Sequence, residues 1–359
     1  YACNVVTHRG GLSYAYTKKK LRVNVSSNLR FTNFSQQDMF LDHEMKRSFI
    51  NWYPRALLRY NFSQQRRLSF TYNGSTRQPG INDLQPIRVN DDPLNIQIGN
   101  PDLKPSFSNN FDFYFSDYKV MTNRSLWISG GYQTTSNAIS NKSFLDESGK
   151  RTSQAVNVNG NRNLRYNFGL HGKIQAWDMR VGGGLSGNVG RNVNYVNGQY
   201  NTTNSTRNGI NVQIGKDKDK KYEIYLYGNA NYFTSVSSVQ KELRTNYWTY
   251  SISPNASFFL PGKFVLHAEM EYNIRQKTAV FTGNNNAAIL NGYLAKKFGK
   301  KELIQINLSV NDLLNQNIGF NRSVNTNTIT ESTYSTIGRY GLLSFIWNFN
   351  KLGGATPAK

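Results

Sequence analysis

Cysteine and long apolar runs are scarce in this sequence, and each scarcity excludes a class of protein. The 359 residues contain one cysteine, Cys3, so neither an internal disulfide nor a cysteine-ligated metal cluster is expected. No stretch approaches the roughly 18 consecutive apolar residues that a transmembrane helix needs, and the mean hydropathy is −0.59. A disulfide-rich scaffold and a helical membrane protein are therefore both excluded.

Acidic residues are also few, with 21 Asp and Glu against 43 Lys and Arg, for a formal net charge of +22. In a soluble domain such a charge would favour nucleic-acid binding. Here the basic residues are spread along the whole chain, and the runs at 18–20 and 216–221 lie where tight turns are expected. Solvated turns explain these runs better than a basic patch does, so no nucleic-acid partner is expected.

Strict alternation of apolar and polar residues is the main pattern. Residues 264–275 show it clearly, and similar segments recur at 21–32, 52–62 and 304–311. In the first of these, one parity carries Phe264, Leu266, Ala268, Met270, Tyr272 and Ile274, and the other carries Val265, His267, Glu269, Glu271, Asn273 and Arg275. Segments of about ten residues with one apolar and one polar face are typical of tilted transmembrane β-strands.

Short and long polar connections alternate between these segments. The short ones lie at 18–20, 64–67, 121–123, 175–178, 216–221, 261–263 and 299–301. The long ones lie at 35–48, 78–108, 141–151, 192–207, 235–245, 277–286 and 319–330. This asymmetry is that of outer-membrane barrels, which have short periplasmic turns and long external loops. A soluble β-sandwich is the main alternative, but its strands average only about five or six residues.

The predicted fold is an all-β, antiparallel up-and-down transmembrane β-barrel of the bacterial outer membrane. It occupies residues 1–350 with about fifteen strands, and residues 351–359 form a C-terminal tail. Single-chain bacterial barrels close with an even number of strands. An odd count therefore predicts an incomplete part of a larger barrel, with at least one strand missing at the N-terminus.

Aromatic residues reach 13% of the chain, with 22 Tyr and 21 Phe. Several lie on the apolar parity near predicted strand ends: Trp52, Tyr60, Trp248, Trp347 and Phe349. The rings of Trp and Tyr combine an apolar body with a polar group, and aromatic rings are enriched where the membrane meets water. These positions therefore predict an aromatic girdle at the lipid interface.

Catalytic signatures are absent from the sequence. Four scattered histidines lack the spacing of a metal site, and neither a nucleophile elbow nor a phosphate-binding loop is present. Glu269 and Glu271 could form a carboxylate pair for acid–base work, but charges on the polar face of a barrel strand are better explained as lumen residues. We expect no enzyme activity, no cofactor and no metal. The candidate lumen-facing residues are Arg55, Arg59, His267, Glu269, Glu271 and Arg275.

A loop segment resembles a known family. Residues Gly99, Asn100, Pro101, Asp102, Leu103, Lys104 and Pro105 resemble the G-N-P-x-L-K-P segment that precedes a barrel strand in TonB-dependent receptors, in particular the Bacteroidetes outer-membrane β-barrel type. Residues 311–315 are similar to the family's N-D-L-F-N segment, with Leu314 in place of the usual aromatic. Residues 345–349 look like its closing strand.

The resemblance implies an energised importer in a barrel of about twenty-two strands, closed around an N-terminal plug. The implied partners are outer-membrane lipid, a bulky nutrient and a surface lipoprotein. The TonB complex of the inner membrane is a further implied partner, contacted through a region missing here. The nutrient would be an iron chelate, an oligosaccharide or a peptide. Two other classes remain open: a passive porin-like channel, and a structural or adhesive surface barrel.

Overall fold

Alternating residues form long strands in the computed structural model of the protein. It describes residues 2–38, 43–85, 88–242, 244–278, 282–283, 285–299, 302–325 and 328–348. Phe349 and the tail predicted at 351–359 lie outside the described residues. The helical segments are short, with one helical turn at Ile81–Leu84, and no helix in the described part is long and apolar enough to cross a membrane.

The strands are numbered here in chain order. They are β1 (Ala2–Lys18), β2 (Leu21–Asp38), β3 (His43–Asn61), β4 (Arg66–Arg77), β5 (Arg88–Asp92), β6 (Asn95–Ile98), β7 (Ser106–Lys119), β8 (Arg124–Ser136), β9 (Ala138–Leu145), β10 (Arg151–Val158), β11 (Asn161–Ile174), β12 (Met179–Val196), β13 (Gln199–Lys218), β14 (Tyr222–Ser237), β15 (Thr245–Leu260), β16 (Phe264–Arg275), β17 (Ala287–Phe298), β18 (Ile304–Asn311), β19 (Gly319–Asn325), β20 (Thr328–Tyr334) and β21 (Tyr340–Trp347).

Fifteen of these strands form one antiparallel up-and-down sheet, called the wall from here on. Its order is β1, β2, β3, β4, β7, β8, β11 to β18, and β21. The sequence predicts about fifteen barrel strands, and the wall contains fifteen. Among the described residues no pairing joins β1 to β21. Because neighbours are antiparallel throughout, the first and fifteenth strands run in the same direction and cannot close the ring as an antiparallel pair.

The register keeps apolar residues opposite apolar residues from strand to strand. Leu266 of β16 faces Phe258 of β15 and Leu294 of β17, and Leu294 faces Leu308 of β18. A slip of one residue would exchange the two faces of a strand, so the alternation fixes the pairing. The wall consequently has one continuous apolar face and one polar face, as predicted.

The predicted short turns are confirmed where the structure describes them. Residues with positive φ close several of them, including Lys19 at 49°, Asn123 at 46° and Asp178 at 52°. Short 3₁₀ segments occupy Val120–Thr122 and Gln175–Trp177. Of the turn predicted at 299–301, residues 300 and 301 lie outside the described residues.

Two of the predicted long loops are wrong, because the strands continue through them. β2 runs to Asp38 and β3 starts at His43, and β12 and β13 extend to a tight turn at Asn197 and Gly198. Both turn residues have positive φ, 48° and 79°, which is the type I′ geometry favoured by Asn-Gly. Beyond the membrane both faces of a strand are polar, so alternation fades and the sequence reads as a loop although pairing persists.

The loops at 78–105 and 137–160 fold together into a second layer. β5 pairs with β6, β6 pairs in parallel with β10, and β10 pairs with β9. We call these four strands the loop sheet. It joins the wall because β9 pairs in parallel with the end of β12. In contrast, the β19–β20 hairpin pairs only within itself among the described residues.

Candidate functional site

The polar face of the wall holds all six residues predicted to face the lumen. Arg55 lies opposite Ser26 and Asn73 in the register, and His267 lies opposite Ser257 and Tyr293. The remaining four have the same parity on their strands: Arg59, Glu269, Glu271 and Arg275. The structure therefore places the six on one face, spread over β3 and β16.

Arg59 has an unusual environment on β3. It lies directly opposite Arg22 on one side and Ser69 on the other. Its Nε is buried and has no hydrogen-bond partner in the described structure. The Arg59 guanidinium lies beside that of Arg22 and has an unsatisfied N–H donor. A hydrogen-bond acceptor from another part of the protein or from a ligand would be favoured at this position.

His267 and Glu269 of β16 contact polar side chains on the neighbouring strands β15 and β17. The hydroxyl of Ser257 lies 2.8 Å from His267 Nδ1, and the Tyr293 ring stacks on the imidazole with centroids 4.8 Å apart. Asn291 donates to Glu269 at 3.1 Å, and His267 Nε2 lies 3.8 Å from the same carboxylate. Polar side chains thus satisfy one another along this face.

The two glutamates bind different amides. Glu271 accepts from Asn273 at 2.8 Å, whereas Glu269 accepts from Asn291. Within the described residues no group of three His, Cys, Asp or Glu side chains is arranged to hold a metal ion. Each glutamate thus has its own asparagine partner on the wall, and this arrangement differs from a carboxylate pair that shares a proton.

Arg275 stands apart, because it contacts the β19–β20 hairpin. Its guanidinium lies 4.5 Å from the centroid of the Phe320 ring and donates to the carbonyl of Asn285. Arg322 of the hairpin donates to the carbonyl of Gln276 at 3.2 Å. The hairpin therefore folds onto the polar face of the wall.

Arg322 is the residue that fixes the hairpin there. It pairs with Glu331 at 2.8 Å, and the side chains of the two residues are only 5% and 16% exposed. Its guanidinium also lies 5.2 Å from the ring centroid of Tyr247 on β15. Such a pair holds both strands of the hairpin together while one cation faces the wall.

A cavity of about 220 Å³ lies between the hairpin and the wall. Its lining is cationic, aromatic and amide-bearing: Arg207, Asn231, Phe233, Tyr247, Thr249, Arg275, Phe320, Asn321 and Arg322. A larger concave surface adjoins it on β7, β8 and β11 to β14 and shares Arg207 and Asn231 with it. The two together form a continuous recess over the part of the wall from β7 to β16.

A glycine permits an ion pair inside the larger recess. Arg165 of β11 reaches across β8 to bind Asp112 of β7 at 2.9 Å. Gly131 lies between them, and a Cβ there would be 2.8 Å from atoms of both partners. The absence of a side chain at this position lets the charge pair span three strands.

The family-like motif at 99–105 is a structural clamp between the two loops. A Cβ on Gly99 would lie 1.6 Å from the carbonyl oxygen of Gln85, so only glycine fits. The Asn100 side chain donates to the carbonyl of Ala155 at 2.9 Å and accepts from the amide of Asp102 at 3.0 Å. The carbonyl of Pro101 accepts from Arg47 at 2.7 Å.

The second half of the motif continues this docking. Leu103 is 6% exposed and packs with Leu84 and Ala155 in a small hydrophobic cluster. The amide and the carbonyl of Lys104 both bond to the Asn157 side chain, at 2.8 and 2.9 Å. Pro105 then leads into β7. The resemblance identified the motif, but only the structure shows that it binds β10.

Sequence reasoning missed the residues that surround the cavity. Arg207, Phe320 and Arg322 are not among the candidates, because 192–207 and 319–330 are predicted to be loops, and Tyr247 is not among them either. The alternation could have placed one of them, because Tyr247 has the same parity as the polar residues of β15. Nothing in the local pattern indicates that the hairpin folds inward.

Comparisons with known proteins place the chain in a family. A search of curated proteins gives no match. Among solved structures, P. aeruginosa FpvA bound to heterologous pyoverdines matches with a TM-score of 0.29 and 10% identity, covering 96% of this chain and 58% of that one. The chain thus spans less than two thirds of that protein's length. The family model described as "Outer membrane protein beta-barrel family" matches residues 7–347. This protein therefore belongs to that β-barrel family and is located in the bacterial outer membrane.

Proposed function

We propose that the chain forms most of the barrel of a TonB-dependent receptor of the Bacteroidetes type. The receptor imports a bulky nutrient, such as an iron chelate, an oligosaccharide or a peptide. The protein acts by binding and passage, and no catalysis is assigned to it. The observation that carries the proposal is the pair of wall edges, β1 and β21, each of which has a strand neighbour on one side only among the described residues.

The edges support a large barrel for a physical reason. Unpaired N–H and C=O groups in hydrocarbon cost several kcal/mol each, so β1 and β21 each need a neighbour. Their common direction means that an odd number of further strands must complete the ring. Barrels of 16 to 18 strands enclose an aqueous channel, and barrels of about 22 strands hold a plug. The polar recess of the wall supports the passage of a hydrophilic ligand on this side.

The asymmetry of the connections supports an orientation. The short turns would face the periplasm and the loop sheet would face the outside. An external nutrient, assisted by a surface lipoprotein, would first meet the loop sheet. Contact with the TonB complex would be made by a plug region, which no segment of the 359 residues resembles.

Energy dependence is the test of this function. Strains lacking the intact protein, or lacking the energy-transducing protein, would be compared with wild type for uptake of labelled ferric chelates, oligosaccharides and peptides. We expect both deletions to abolish uptake of the same compound. Uptake that needs this protein but persists without energisation would instead establish a passive channel. No uptake defect for any compound would favour the structural or adhesive class.

Orientation has its own test. Leu94 is 58% exposed at the β5–β6 turn, and Lys19 lies in a short turn at the opposite end of the wall. Leu94→Cys should react with an impermeant thiol reagent on intact cells, and Lys19→Cys should react only after the outer membrane is opened. The reverse pattern would invert the topology.

A further inference from the structure

We propose that the cavity between the wall and the β19–β20 hairpin binds an oxyanion group of the imported ligand, namely a carboxylate, phosphate or sulfate. The inference rests on the proposed function only for the source of that ligand. The binding chemistry itself follows from the residues that line the cavity.

Charge is the first argument. Three arginines line the cavity, and the lining contains no acidic residue. Glu331 pairs with Arg322, and both Glu271 and Glu331 act electrostatically on Arg275. Three guanidinium groups against two carboxylates leave an excess of positive charge in a recess of limited volume. Such an excess attracts anions and is costly until one is bound.

The hydrogen-bonding state of the arginines is the second argument. Arg207 is exposed and forms no ion pair within the part of the chain that the structure describes. In the register it lies between Asn188 and Phe233. Arg275 donates to a backbone carbonyl, which occupies a donor without neutralising the charge. Among the described residues no carboxylate forms an ion pair with either guanidinium, so both keep N–H donors for an anionic ligand, and Arg207 has the less compensated charge.

Aromatic rings support these cations from the side. The Phe320 ring lies under Arg275 and is 5.6 Å from the guanidinium carbon of Arg322. Phe233 and Tyr247 pack against each other across β14 and β15, with centroids 5.3 Å apart. Rings that stack on a guanidinium leave its N–H edge available, and that edge matches the two oxygens of a carboxylate or phosphate.

Neutral donors and size complete the site. Asn231, Thr249 and Asn321 line the same cavity and supply amide and hydroxyl groups. A volume of about 220 Å³ accommodates one charged group with its immediate substituents and is too small for a whole bulky nutrient. The site would therefore recognise the charged part of a ligand whose remainder lies in the adjoining recess.

Equilibrium binding to the intact protein in detergent tests the site. Isothermal titration with citrate, pyrophosphate and a sulfated disaccharide distinguishes the three oxyanions, and maltotriose is the neutral reference. We expect at least one anion to bind and maltotriose to leave that binding unchanged. Arg207→Gln should weaken the anion's Kd by tenfold or more. Arg207→Lys, which keeps the charge but not the fork, should give an intermediate Kd.

Arg77→Gln is the matched control, because Arg77 is also an exposed arginine of the polar parity but lies on β4, opposite Ser106. It should bind the anion as wild type does. Failure of all three anions to bind wild type would overturn the proposal, as would equal weakening by Arg77→Gln and Arg207→Gln. Binding in detergent needs no energy source. Anion binding in detergent could therefore be observed even if uptake proved independent of TonB. Conversely, TonB-dependent uptake could be observed even if no anion bound at this cavity.

Discussion

The wall and the loop sheet place apolar residues in opposite ways. On the wall, large apolar side chains are exposed, with Leu12 at 85%, Leu343 at 75% and Val212 at 49%. In and around the loop sheet several are buried, with Ile96 at 1% and Leu84 at 2%, and those that are exposed, such as Leu94 and Phe144, lie at or near the turns. The same chain therefore follows two packing rules, one on each side of a boundary near the strand ends.

The difference shows which solvent each region meets. Lipid is as apolar as the side chains, so the wall gains little from burying them and is held by backbone pairing that leaves few groups unsatisfied. Water surrounds the loop sheet, and four short strands need a hydrophobic cluster to be stable there. The clusters around Leu103 and Val193 supply it.

The largest expected effect on stability comes from placing a charge on the apolar face of the wall. Val212 lies between Ile210 and Ile214, at the centre of the apolar band of β13. Val212→Arg would bring a charge into hydrocarbon and should reduce the free energy of unfolding by about 2–4 kcal/mol. Asn211→Arg, one residue away on the polar face, should have a much smaller effect. Urea titration of the protein folded into lipid vesicles measures both, and equal losses would contradict the assignment of faces.

The second prediction removes a buried apolar side chain that packs beside the loop sheet. Leu103→Ala removes a side chain from the cluster with Leu84 and Ala155, and should cost about 2 kcal/mol of local stability. Because β9 and β12 form the only strand pairing between the loop sheet and the wall in the described part of the chain, the wall should remain folded. Hydrogen exchange of β6 and β10 should therefore accelerate while that of β13 stays the same. Leu94→Ala, at an exposed turn, is the control and should change neither.

The third prediction concerns charge on the polar face. Asp112→Asn removes the ion pair with Arg165, whose side chains are 41% and 61% exposed. Exposed pairs contribute below about 1 kcal/mol, so the unfolding midpoint should move only slightly. A loss as large as that of Val212→Arg would show that this face is dry, and it would contradict the polar lumen.

The smallest effect is a pH dependence in the loop sheet. A hydrogen bond from the Ser148 hydroxyl and backbone bonds from Lys150 and Ser148 hold the pKa of Asp146 below its usual range. The folded-state pKa is depressed, so the stabilisation is present above the unfolded pKa of about 3.9 and is lost as pH falls below it. Protection of the Ser148 and Lys150 amides, corrected for intrinsic exchange, should fall between about pH 5 and 3. Asp146→Asn should remove this dependence, and an unchanged slope would contradict it.

Much of the wall could be predicted from sequence, because alternation is a local property. The parity of Leu266 and His267 predicts the face that each occupies, and positions such as Lys19 and Asp178 mark the turns. The prediction failed at 35–48 and 192–207, where pairing continues although both faces are polar. The candidate site was predicted only in part: Arg275 was named, but its neighbours across the cavity were not.

The sequence by itself determined which face each strand residue occupies and where the wall turns, since a period of two and a few turn residues suffice for that. Only the tertiary structure decided which distant residues meet. The Asn157 side chain binds Lys104, and Arg322 meets Tyr247, because two loops and one hairpin close over long separations in the chain. Such contacts depend on the shape of the closed loops and on side-chain complementarity. Neither produces a repeating pattern in the sequence from which the contact could be predicted.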